Sequence, residues 1–85
     1  MPTQTVTVGS AVGLHARPAA IIAEAAEELG AEVYLAVPGE DPVEADSALL
    51  IMTLGAAKGD TIEVSGENAE HVEAIAALVA KDLDA

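Results

Sequence analysis

Thr3-Gln4-Thr5-Val6-Thr7-Val8-Gly9-Ser10-Ala11-Val12-Gly13-Leu14-His15-Ala16-Arg17-Pro18-Ala19 is the stretch whose reading decides the fold, because the spacing of apolar residues changes within it. Residues 3–8 alternate polar and apolar side chains and are rich in β-branched residues, the pattern of a strand with one buried face, which points Val6 and Val8 toward a core. Beyond a loop from Gly9 to Leu14 the spacing becomes helical. Between Ala16 and Leu29, Ala19, Ile22, Ala26 and Leu29 share one face while Glu24, Glu27 and Glu28 fall on the other. Gly30 supplies a C-terminal stop.

Working outward, residues 32–37 (Glu-Val-Tyr-Leu-Ala-Val) alternate again, and Pro38-Gly39-Glu40-Asp41-Pro42 reads as a turn into a short edge strand from Val43 to Ala45. Asp46 or Ser47 can cap a short apolar helix from Ala48 to Leu54, which Gly55 ends. Thr61 to Ser65 forms a fourth strand with Ile62 and Val64 inward, and Gly66 marks the next turn. From Ala69 to Leu83, apolar residues at 72, 75, 76, 79 and 83 make the clearest amphipathic helix. The order βαββαβα with short connections predicts an α+β open-faced sandwich, a four-stranded, mainly antiparallel sheet with three helices on one face. A single domain over residues 1–85 is expected, since the chain has no room for a second core.

Composition narrows the function classes. Three basic residues, Arg17, Lys58 and Lys81, stand against fifteen acidic ones for a net charge of −12, a field that repels nucleic acid and anionic membranes. Tyr34 is the one aromatic residue, so no stacking platform for bases exists. The absence of cysteine excludes disulfides and thiolate metal sites. The N-terminus lacks a signal peptide, and the longest strongly apolar stretch, Ala48 to Met52, is too short to span a bilayer, which makes a cytoplasmic protein the expectation.

The candidate site is Gly13-Leu14-His15-Ala16-Arg17-Pro18-Ala19. His15 sits where the loop enters the first helix, and there the backbone N–H groups lack intrahelical partners and the helix dipole is positive, so an anion is favoured. Pro18 suits the first turn, where its missing N–H is tolerated. Arg17, the sole arginine, adds a guanidinium whose fork matches phosphate oxygens. An imidazole is partly unprotonated and nucleophilic near neutral pH, and phosphoryl transfer through it needs neither metal nor organic cofactor. The phosphoramidate formed would be held by the N–H groups of Ala16 and Arg17 and by the Arg17 side chain. Alone, a loop histidine is more often a surface or capping residue; its neighbours carry the argument.

This segment, together with the element order, closely resembles the histidine-containing phosphocarrier protein HPr of the bacterial phosphoenolpyruvate-dependent sugar phosphotransferase system, and the resemblance covers the whole chain. Asp46-Ser47-Ala48-Leu49-Leu50-Ile51-Met52-Thr53-Leu54-Gly55 is similar to the second helix of that family, displaced by one residue through a slightly longer turn at 38–42. The resemblance implies a non-enzymatic carrier in which His15 receives phosphate at Nδ1 from phospho-enzyme I and delivers it to sugar-specific enzyme IIA domains, with Arg17 stabilising the phosphorylated form. Ser47 matches the serine that a dedicated kinase phosphorylates in some members, although a helix N-cap explains it without regulation. Ala16, Ala20, Ala48, Leu49 and Met52 can form a shallow apolar patch resembling the family's docking surface, and some of them can equally belong to the core. A monomer that enters neither membranes nor nucleic-acid complexes is expected, with a serine kinase/phosphorylase or regulatory proteins as further partners.

Departures from the family pattern concern docking. Glu24 and Glu27 occupy positions that are basic in many members, Leu50 replaces a basic or small residue, and Val12 replaces the small polar residue often found three places before the histidine. A partner with a less acidic docking face, or a salt concentration that screens the mismatch, is implied. His71, at the start of the last helix, reads as a solvated helix residue. Three functions remain in order of preference: a phosphocarrier, a regulatory binding module signalled by His15 phosphorylation, and an acylphosphatase-like enzyme, for which no second polar catalytic group is evident.

Overall fold

The computed structural model describes residues 2–30 and 32–83. Seven elements follow one another: β1 (Thr3–Thr7), α1 (Ala16–Leu29), β2 (Val33–Ala36), β3 (Val43–Glu44), α2 (Ala48–Thr53), β4 (Thr61–Gly66) and α3 (Ala69–Ala80). The strands lie in the order β1-β4-β2-β3, and every neighbouring pair is antiparallel. The expected α+β sandwich of βαββαβα order is the fold observed.

Alternation fixes the register. Val6 lies opposite Ile62 across β1 and β4, and Leu35 lies opposite both Val64 of β4 and Val43 of β3. Because directly opposite residues share a face, these pairs form one apolar layer, onto which α3 packs across β1, β4 and β2. α1 rests against α3 and α2, and α2 meets β3. Ile22, Leu35, Ile51, Ile62 and Ile75 are wholly buried, so isoleucine and leucine fill the space that aromatic rings fill in larger cores. Ala19, Ile22 and Ala26 of α1 and Val72, Ile75, Ala76 and Val79 of α3 are buried as their spacing predicts, while Leu29 packs partly buried against the core.

The ends of elements differ from the sequence reading by local hydrogen bonding. β1 ends at Thr7, yet Val8 stays buried and exchanges backbone bonds with the turn at 59–60, donating to Asp60 at 2.9 Å and accepting from Gly59 at 2.9 Å. β2 is shorter at both ends than residues 32–37, and Ala45 lies outside β3 although its N–H still reaches the Val33 carbonyl. β4 runs on to Gly66, where a Cβ would stand 2.8 Å from the Glu32 carbonyl oxygen. α2 stops at Thr53, before Leu54.

The largest difference is at α3, which ends at Ala80 and not at Leu83. Lys81 turns to extended backbone (φ −87°, ψ 149°), and Leu83 reaches the core beyond the helix. Helical spacing alone cannot tell a last turn from an extended segment that returns an apolar residue to the same core.

Candidate phosphoryl-transfer site

The loop between β1 and α1 is held from two sides. Against α3, Gly9 N–H donates to Val79 O (3.0 Å), the Ser10 hydroxyl donates to Lys81 O (3.3 Å), and Leu83 N–H donates to Ser10 Oγ (3.2 Å). Against the segment after α2, Leu14 N–H donates to Ala56 O at 3.0 Å. Within the loop, Gly13 N–H donates to Ser10 O at 2.9 Å and closes a turn whose tip is Ala11 and Val12. Gly13 adopts φ +74°, and a Cβ there would run into the carbonyl of Ala56, so the turn needs glycine for both conformation and space.

Leu14 and His15 divide the work at the end of this loop. Leu14 is buried and anchors the chain, whereas His15 is exposed in extended backbone (φ −87°, ψ −165°) as the N-cap of α1. Its carbonyl begins the helix by accepting from Ala19 N–H at 2.9 Å, and its side chain makes no capping bond. The imidazole is therefore free of a structural duty that most N-cap side chains perform. Ala16, Arg17 and Pro18 are the first three helical residues; Pro18 has no N–H, which leaves Ala16 and Arg17 as the open backbone donors next to the imidazole. Arg17 is exposed, and no ion pair among the described residues occupies its guanidinium.

This arrangement suits a transferable anion. The open N–H groups of Ala16 and Arg17 and the exposed Arg17 side chain follow directly on an exposed, uncapped imidazole, a set of groups that could hold an anion where a second protein can reach it. An acidic groove lies elsewhere, at the C-terminal end of α1, among Glu27, Glu32, Tyr34, Glu44 and Asp46. There the Tyr34 phenol donates to Glu32 Oε2 at 3.1 Å, and that bond, with some burial and the charges of Glu32, Glu44 and Glu67, raises its pKa.

Among the residues anticipated for docking, Ala16, Ala20, Leu49 and Met52 are exposed on α1 and α2, two helices packed against each other, and Leu49 is 70% exposed. Ala48 instead packs half-buried against the core. Leu50 and Val12, read from the sequence only as departures, are large exposed apolar residues as well. A six-residue helix carries too few turns for spacing to separate its outward from its inward side. Ser47, not Asp46, is the N-cap of α2, accepting from Leu50 N–H at 3.3 Å. Glu24 and Glu27 are exposed on α1.

Two residues stand differently from the sequence reading. His71 is half-buried, and its Nδ1 is buried without a hydrogen-bond partner among the described residues, so it is not the solvated residue expected. Ser10, which the sequence did not mark out, is fully buried and joins the loop to the end of α3. Nothing in its neighbours announces this, because its partners are seventy or more residues away in the chain.

A family model described as the PTS HPr component phosphorylation site matches residues 2–81. The chain belongs to the HPr phosphocarrier family. It is 43% identical over 88 residues to phosphocarrier protein HPr of Streptomyces coelicolor, covering 99% of this chain and 94% of the relative. With phosphocarrier protein NPr of Klebsiella oxytoca it shares 38% identity over 77 residues, covering 91% of this chain and 86% of that one. The crystal structure of HPr-C-His from Thermoanaerobacter tengcongensis superposes with a TM-score of 0.82 at 29% identity, covering 93% of this chain and 91% of that chain. Phosphocarrier chemistry in the phosphotransferase system, with its phosphohistidine and its link to sugar transport, follows from HPr membership.

Proposed function

We propose that the protein accepts a phosphoryl group on Nδ1 of His15 from phospho-enzyme I and passes it to enzyme IIA domains during coupled sugar uptake and phosphorylation. The observation that carries this reading is the uncapped, exposed imidazole of His15 beside the open N–H groups of Ala16 and Arg17. The Nδ1 lone pair forms the new N–P bond as the bond from phosphorus to the donor breaks. The two N–H groups and the Arg17 guanidinium then share the charge of the phosphoryl oxygens. None of these contacts encloses the group, and a carrier needs that, since whatever it stabilises it must later release.

In this reading the chain is a stoichiometric carrier with no substrate of its own, acting as a cytoplasmic, single-domain monomer. Ala16, Ala20, Leu49 and Met52, with Val12 and Leu50, supply an apolar surface of mostly small or flexible residues suited to several partners bound in turn. Glu24 and Glu27 favour an enzyme I whose facing surface is less acidic than usual, or association in salt. Ser47 is a secondary candidate for regulatory phosphorylation. A phosphate there would be favoured by the positive start of α2, which it caps, and opposed by the like charges of Glu44 and Asp46.

The test is to incubate the protein with phosphoenolpyruvate and enzyme I, locate the phosphate, and add an enzyme IIA. Acid-labile phosphate on His15 that leaves when the acceptor arrives supports the proposal. Equal labelling of His15→Ala, or phosphate on another residue, overturns it. Phosphate that loads and stays would favour a regulatory binding module.

A further inference from the structure

We infer that Ser10 is a positioning residue for His15, fastening the phosphoacceptor loop to the chain segment that follows α3; this rests on the phosphocarrier reading above. Ser10 is the one buried polar residue among those described, and a buried hydroxyl persists only where its hydrogen bonds are made. Here both are made to one segment. The hydroxyl donates to Lys81 O at 3.3 Å, and the oxygen accepts from Leu83 N–H at 3.2 Å. A single side chain thus pairs the Lys81 carbonyl and the Leu83 amide, where α3 gives way to extended backbone.

The same residue governs the turn that presents His15. The Ser10 carbonyl accepts from Gly13 N–H at 2.9 Å, and Gly13 leads through buried Leu14 into the N-cap. Gly9, one residue earlier, donates to Val79 O, and a Cβ at Gly9 would collide with the Ala80 carbonyl, so the loop lies against the helix end with no space between. Between Ser10 on one side and Ala56 on the other, the five residues preceding His15 have little freedom. Losing the Ser10 hydroxyl leaves Lys81 O and Leu83 N–H without this partner in a partly buried place and frees the first half of the loop. The imidazole then samples directions in which Nδ1 does not meet the incoming phosphorus while the Ala16 and Arg17 donors are in reach. Docking, carried mainly by the surface of α1 and α2, is affected only through Val12 at the tip of the turn.

The experiment compares the full-length protein with Ser10→Ala and Ser10→Cys. The control, Val72→Ala, trims a buried side chain near the other end of α3 and lowers stability without touching the loop. With the carrier as substrate of enzyme I, Ser10→Ala lowers kcat on the order of tenfold with KM changed far less than kcat. Hydrogen exchange of the Gly13 and Leu14 amides accelerates in the same variant. Ser10→Cys, whose thiol is a weaker donor and acceptor, falls between Ser10→Ala and the parent. Val72→Ala changes the unfolding midpoint but neither kcat nor exchange at Gly13 and Leu14. Ser10→Ala that behaves like Val72→Ala in kcat and exchange, or that acts on KM alone, overturns the inference. If the parent protein itself takes no phosphate on His15, the carrier reading fails instead, and the exchange comparison still decides whether Ser10 holds the loop.

Discussion

Three glycine substitutions separate the two reasons that the loop before His15 needs its glycines. Gly30 has φ +65° with nothing within 4 Å of an added Cβ; Gly9 is free of that conformational demand but has the Ala80 carbonyl in the way; Gly13 has φ +74° and the Ala56 carbonyl in the way. Alanine in the left-handed region costs about 1–2 kcal/mol, and alanine also stabilises by about 0.4–1 kcal/mol through a less disordered unfolded chain. Gly30→Ala should therefore lose roughly 0.5–1 kcal/mol net. Overpacking against backbone, which cannot swing aside as a side chain can, adds about 1–3 kcal/mol, so Gly9→Ala should lose roughly 1–2 kcal/mol after the same offset. Gly13→Ala combines both terms, about 2–4 kcal/mol, which in a domain of this size lowers Tm by about 10–25 °C. Urea unfolding followed by far-ultraviolet circular dichroism measures all three. A Gly13→Ala variant no less stable than Gly30→Ala would refute the claim that the loop is jammed against the segment after α2.

Further outcomes follow from single contacts. His15→Ala should abolish phosphorylation while changing stability by less than about 0.5 kcal/mol, because the exposed side chain caps nothing; equilibrium unfolding of the variant checks this. Ser47→Ala removes the acceptor for Leu50 N–H and should cost about 1 kcal/mol in the same assay. Tyr34, the one aromatic residue, gives a phenolate absorbance signal without overlap and should titrate above its ordinary value of about 10. Its pKa is raised in the folded state, so the stability from the Glu32 bond is present below the unfolded pKa and is lost as pH rises through the folded one. Glu32→Gln should bring the transition down, and an unmoved transition would show that the bond does not set it.

Much of the fold was legible because its signals are local. The period-two runs at 3–8 and 61–65 and the helical spacing of Ala19, Ile22 and Ala26 each report burial of one face, and burial is what the tertiary structure then supplies. The family resemblance was legible too, since seven residues around His15 are contiguous. Strand order was not, because β4 enters between β1 and β2 through pairings that no local pattern specifies. The outward direction of Leu50 and the inward packing of Ala48 were equally hidden by the shortness of α2.

By itself the sequence determined which residue is the candidate to carry phosphate: a histidine at a helix start, followed by an arginine and a proline that leaves two amide donors open, is a pattern written in consecutive residues. Only the tertiary structure decided how that histidine is held. The end of α3 at Ala80, the burial of Ser10 and the contact of Gly13 with Ala56 all join residues far apart in the chain. Such contacts exist only once the core has brought the segments together, and periodicity, which reports a residue's relation to its own helix or strand, has no access to them.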